Sequence, residues 1–186
     1  MPIDFFISPC LKVDGNCKKE GIVCKKTTNV RRFGVSDANS NNRLPAFIDT
    51  ENEEVWDLIV ENPSLKEITF KAVDYCVDIF RHDLTVGNQE QLIKRCEGFL
   101  NYDDKIVFLE IKNRGTGRWL IDAREKFQET ITKFKETYPE NRFSIEKPIV
   151  ANKKFVRTHQ NEMVQRRILK NAIGIDFVVS NILSIA

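Results

Sequence analysis

Residues 105–112, Lys105-Ile106-Val107-Phe108-Leu109-Glu110-Ile111-Lys112, form a near-continuous apolar run of strand length. Such a run predicts a central β-strand covered on both faces. Side chains alternate along a strand, so Phe108, Glu110 and Lys112 share one face and Val107, Leu109 and Ile111 the other. A carboxylate and an ammonium therefore end an otherwise apolar strand, where charge is costly unless paired or used.

Reading outward, Asn101-Tyr102-Asp103-Asp104 is a turn, and Leu92 to Leu100 is a second strand-like run. Glu67 to Phe80, rich in β-branched and aromatic residues, is a third, separated from the second by a predicted loop at Arg81 to Gln89. Downstream, Leu120, Ala123, Phe127, Ile131, Phe134 and Tyr138 recur at helical spacing, with charges on the other side and Pro139 at the end. That pattern predicts an amphipathic helix packed on a sheet. Arg142 to Val150 reads as another strand, with Pro148 at its edge or end. A helix is expected around Glu162 to Leu169, and one or two strands between Ile173 and Ile185.

Earlier in the chain, Thr50 followed by Glu53 fits a capping box. Val55, Trp56, Ile59 and Val60 would line the helix it starts, and Asn62-Pro63-Ser64 would end it. Val13 to Asn16 looks like a turn and Ser36 to Arg43 like a polar loop. The expected fold is a single-domain α/β protein: an extension at 1–49, a helix-strand-strand-strand-helix-strand core at 50–150 and a basic segment at 151–186.

Glu97 lies in the strand preceding Glu110, across the turn. In an antiparallel pair, Glu97 falls near the level of residues 105–110, and two carboxylates converging there can hold a divalent metal through hard oxygen ligands. A neighbouring lysine can then position or deprotonate a water. The same residues could equally form a structural Glu–Lys ion pair.

Glu110-Ile111-Lys112, with Glu97 thirteen residues earlier and this element order, resembles the PD-(D/E)xK nuclease superfamily, the restriction-endonuclease-like fold. The pair Cys96-Glu97 stands where that family places Pro-Asp. The resemblance covers about Thr50 to Val150. It implies metal-dependent hydrolysis of DNA phosphodiester bonds, with DNA favoured over RNA, in defence, repair or mobile-element biology. It further implies Mg²⁺ (or Mn²⁺) held by Glu97, Glu110 and the Ile111 carbonyl, with Asp74 a further acid. Lys112 would orient water and Gln128, on the following helix, would orient Lys112 or the phosphate. Such enzymes often act as dimers, so a homodimer is compatible with it. A domain that keeps the fold without catalysis, binding nucleic acid or protein, is the alternative.

Composition agrees with an ordinary globular chain: 186 residues, 41% hydrophobic and 30% charged. With only 8 Gly and 6 Pro but 13 Phe, collagen-like, disordered and disulfide-scaffold classes are excluded. The net charge is +2, distributed as +4 over residues 1–34, −6 over 35–67, zero over 68–150 and +4 over 151–186. Arg114 and Arg118 near the expected site, and Lys153, Lys154, Arg157, Arg166, Arg167 and Lys170 beyond it, could bind a nucleic-acid backbone. They could also be a solvated helix face. Five cysteines, no secretory signal and no membrane-length apolar run point to free thiols in a cytoplasmic protein with no membrane partner. Cys10, Cys17 and Cys24 recur every seven residues but lack a fourth ligand for zinc, and neither His82 nor His159 sits in a ligand pattern. Gly115-Thr116-Gly117 could cradle a phosphate or simply turn the chain into the helix. Trp56 and Trp119 are expected in the core.

Overall fold

A computed structural model of the chain describes residues 3–7, 24–37, 44–86, 89–113, 118–139, 142–154 and 159–186; at 81–86, 89–90 and 159–160 it gives the backbone path alone. Cys10, Cys17, Arg114, Arg157, the 115–117 turn, the 13–16 turn and most of the 36–43 loop lie outside the described residues. What is described is a mixed α/β protein with a large mixed sheet and two helices.

The large sheet has the order β1 (Lys25–Thr28), β5 (Ile68–Ala72), β8 (Gly98–Tyr102), β9 (Lys105–Lys112), β11 (Ile149–Asn152) and β12 (Val178–Val179). The short β10 (Ser144–Ile145) pairs with the start of β9. The β1–β5, β5–β8 and β8–β9 pairs are antiparallel, whereas β10 and β11 pair parallel with β9 and β12 parallel with β11. β9 is the central strand expected, and its six inner residues are buried. Parallel pairing of β9 with β11 requires a crossover. Helix α1 (Trp119–Thr137) supplies it, burying Leu120, Ala123, Phe127, Thr130, Ile131 and Phe134. Phe134 packs edge-on against Phe108 of β9 and against Phe5, whose N–H donates to the Tyr138 hydroxyl. Pro148 sits in the gap between β10 and β11, where the strand expected at 142–150 divides. Helix α2 (His159–Ile173) packs on α1 and ends at Gly174, whose φ of 84° suits a residue without a Cβ.

The helix expected after Thr50 is not there. Asn52, not Thr50, caps a single 3₁₀ turn at Glu53–Val55, and the chain then extends as β4 (Leu58–Glu61). Leu58 and Val60 are buried alternately, at strand rather than helix period, and pair with β2 (Arg32–Ser36). β4 and β2, with β3 (Phe47–Asp49) and β13 (Ile182–Ser184), make a second, four-stranded sheet. Gly34 of β2 is required there, since a Cβ would lie 1.9 Å from the Trp56 indole. The opening helix of the expected core is thus replaced by an inner strand of this second sheet. The loop expected at 81–89 is also a ribbon, β6 (Phe80–Val86) paired with β7 (Gln89–Leu92). Cys24, Cys76 and Cys96 are buried. Among the described residues no helix is long and apolar enough to cross a membrane.

Candidate active site

The cleft is set by the register of β8 on β9. Gly98 pairs with Leu109, which puts Glu97 level with Glu110, and the Glu97 N–H donates to Glu110 Oε2 at 3.2 Å. On the other side of β8, Val73 N–H donates to the Glu97 carbonyl and Asp74 N–H to that of Cys96. This carries the chain beyond β5 to the same place and delivers Asp74 from a turn rather than from within the strand expected over Glu67 to Phe80. Tyr75, next in that turn, holds a left-handed φ of 59°, a strained conformation for an aromatic residue. Gly98 permits the close approach: a Cβ there would meet the Lys71 carbonyl oxygen at 2.5 Å.

The segment before β8 is tied to α1. Lys94 N–H donates to Glu129, the Lys94 ammonium pairs with Glu125, and Cys96 N–H donates to Thr130 Oγ1. Arg95 is buried to 9% exposure and pairs with Asp74 at 3.1 Å and Asp78 at 3.0 Å. Behind the cleft, then, one guanidinium braces the acidic turn.

Asp37, Asp74, Tyr75, Glu97, Ile111, Lys112, Asn113, Asp122 and Lys126 line a cleft of about 280 Å³. Glu110 does not line it: its side chain is wholly buried, and Lys112 and Lys126 of the lining reach it. Lys112 reaches Glu110 Oε1 at 2.6 Å and also donates to Asp122, one turn into α1. Lys126, four residues further along the same helix face, contacts Glu110 at 2.9 Å, Glu97 at 3.3 Å and Asp74 at 3.8 Å. Acids outnumber bases around the cleft.

Burial, then the charge of Glu110, pushes the Glu97 carboxyl well above the usual carboxylate range, against the pull of Lys126. Burial works against both lysine ammoniums, but the acids outweigh it. Glu110, Glu97 and Asp74 raise the pKa of Lys126, and Glu110 and Asp122 raise that of Lys112. Asp122 is lowered: burial opposes its ionisation, yet the hydrogen bond from Lys112 prevails. Both lysines are therefore ammonium ions at neutral pH.

No protein-family model, curated protein or solved structure matches the chain.

The geometry brings Glu97, Glu110, Lys112, Ile111 and Asp74 together. Gln128 does not join them: its Oε1 accepts from Arg124, roughly 200° around α1 from Lys126, because each residue advances about 100°. The helical residues in the cleft are Asp122 and Lys126, which sequence reasoning missed. Their signal was present, an acid and a base four apart, bordering the apolar stripe. Arg118 is exposed just before α1. Arg166 is paired with Asp176 at 2.8 Å and Glu162 at 3.6 Å, whereas Arg167 is exposed. Lys153 pairs with Asp57 at 3.2 Å.

Proposed function

We propose that this protein is a metal-dependent nuclease of the PD-(D/E)xK type, hydrolysing phosphodiester bonds of DNA. One observation carries the reading: Glu97 and Lys112 line one cleft, and Glu110, level with Glu97 on the neighbouring strand, is buried against the Lys112 ammonium at 2.6 Å. With the β6–β7 ribbon and the short β10 set aside, the order β5-β8-β9-α1-β11 agrees with the later part of the restriction-endonuclease-like core.

Among the described residues no three His, Cys, Asp or Glu side chains stand grouped to hold a metal as they are, and the proposed ion would draw its donors from this one cleft and the acid beneath it. Asp74, Glu97 and Glu110 offer carboxylate oxygens, and Ile111 lines the cleft although it is only 4% exposed. Mg²⁺ or Mn²⁺ held there would polarise the scissile phosphate and offset charge developing on its oxygens. Lys112, charged and clamped between Glu110 and Asp122, orients the attacking water by donating to it. Its raised pKa makes it a hydrogen-bond donor rather than a proton acceptor at neutral pH. Asp122 is a positioning residue that fixes the Lys112 ammonium. Arg118, exposed one turn before Asp122, is placed to meet a backbone phosphate.

A second reading is favoured by Lys126, whose ammonium already bridges three of the acids. On that reading the cleft is a permanent ion-pair cluster in a non-catalytic domain that binds nucleic acid or protein.

Incubation of the full chain with linear and supercoiled DNA, with RNA alongside, in Mg²⁺ or EDTA separates the two. The nuclease reading expects Mg²⁺-dependent DNA cleavage that falls at least about 100-fold in Glu110→Ala and in Lys112→Ala, both still folded by circular dichroism. Cleavage surviving both substitutions removes the assignment. Salt-sensitive DNA binding without turnover establishes the second reading instead.

A further inference from the structure

The acids of the cleft are bridged by a cation that the chain itself supplies. We propose that Lys126 is a built-in placeholder for the divalent ion, its ammonium taking the ion's position among Asp74, Glu97 and Glu110 until the ion displaces it. The proposal rests on reading the cleft as a metal site.

Three separate segments contribute these acids: the turn after β5, the residue before β8, and β9. A single Nζ lies 3.8 Å, 3.3 Å and 2.9 Å, in that order, from their oxygens. An ammonium and a hard divalent cation compete for the same carboxylate oxygens, so one position cannot serve both. The need for a placeholder follows from burial. Glu110 keeps Lys112 as a counter-charge, but Glu97 is only 6% exposed and Lys126 is its one ion-pair partner among the described residues; a buried carboxylate left without a counter-charge is strongly destabilising. Lys126 lets the cleft fold before any ion arrives.

The means of leaving are also present. Lys126 springs from a helix fixed by buried Ala123 and Phe127 on either side, so its backbone stays in place. Its side chain retains 16% exposure toward the cleft, and four flexible carbons allow the ammonium to swing outward. Lys112 need not move with it, because Asp122 holds that ammonium independently. Once displaced, Lys126 remains at the rim, where a substrate phosphate would replace its lost partners.

Mn²⁺ is the probe, titrated into the full chain and followed by the paramagnetic resonance of the free ion. Lys126→Met should bind Mn²⁺ at least about tenfold more tightly than the wild type, since nothing competes for the acids. It should also melt lower than the wild type in EDTA and recover when Mn²⁺ is added. A second measurement uses the unaltered protein: Lys126 should resist reductive methylation in EDTA and become modified in saturating Mn²⁺, read by peptide mass spectrometry. If Lys126→Met fails to fold even with Mn²⁺, the labelling result decides alone. Equal or weaker Mn²⁺ binding by Lys126→Met, or labelling indifferent to Mn²⁺, overturns the proposal. Mg²⁺-dependent cleavage with unchanged Mn²⁺ affinity in that variant would leave the nuclease standing and remove the placeholder. Tightened Mn²⁺ binding in a protein that never cleaves would do the reverse.

Discussion

Gly98→Ala tests the strand arrangement that builds the cleft. The added Cβ would lie 2.5 Å from the Lys71 carbonyl oxygen and 2.9 and 3.0 Å from the Phe70 ring, against an ordinary contact of 3.4 Å or more. Relief on the carbonyl side therefore needs β5 and β8 to part by about 0.9 Å at that level. Ladder hydrogen bonds there, ordinarily about 2.9–3.0 Å, would stretch past useful length. Overpacking of this kind costs about 1–3 kcal/mol, and one or two weakened hydrogen bonds add about 0.5–1.5 kcal/mol each. A total of about 1.5–6 kcal/mol corresponds to a fall in Tm of about 3–24 °C for a chain of this size. Glu97 is the adjacent residue, so cleavage should fall more steeply than stability. Differential scanning calorimetry gives the first quantity and a DNA nicking assay the second. A Tm within about 1 °C of the wild type would refute the packing argument, since only a cleft with different strand spacing could accept the methyl group.

Two further expectations concern the smaller sheet. Asp49 Oδ1 accepts from the Trp56 indole N–H at 2.9 Å and from the backbone N–H groups of Glu51 and Asn52. Asp49→Ala strands the indole, which is 5% exposed, and should cost about 1–3 kcal/mol in urea denaturation at pH 7. The same bonds, that from Trp56 first and that from Asn52 second, hold the Asp49 carboxyl below its usual range. Because its folded pKa lies below the unfolded one, its electrostatic contribution is complete above about pH 4 and is lost as pH falls through the folded value. The stability gap between wild type and Asp49→Ala should therefore narrow between pH 5 and about pH 2. A gap that widens on acidification would contradict the assignment.

The elements visible in the sequence were those whose local pattern and tertiary role coincide. Residues 105–112 are apolar on both faces because β9 is covered on both, and the stripe from Leu120 to Phe134 follows the face that α1 lays on the sheet. The stretch from Thr50 to Val60 misleads for the opposite reason. Its Thr–Glu spacing is a good local start signal, and Val55, Trp56, Ile59 and Val60 suit a helix. Yet β2 offers Leu58–Glu61 a pairing partner and wins. The β6–β7 ribbon was hidden because Gly87-Asn88 reads as a loop and only Leu84 and Val86 alternate with polar residues in an otherwise polar stretch.

The site divides in the same way. Glu97, Glu110 and Lys112 were readable because strand alternation and a short turn fix which side chains share a face. Asp122 and Lys126 were not, since charges beside an apolar helical stripe ordinarily face solvent. What distinguishes these two is that the stripe's edge overhangs the end of β9, a matter of three-dimensional placement. Gln128 was carried over from a family pattern and lies on the wrong side of the helix for it.

Diffraction from crystals grown with Mn²⁺, recorded at the manganese absorption edge, addresses the central claim most directly. The account requires an anomalous peak bonded to Glu97 and Glu110, with Lys112 beside it and the Lys126 ammonium moved aside. A map without a peak between those two carboxylates, at Mn²⁺ concentrations that support DNA cleavage, would contradict it.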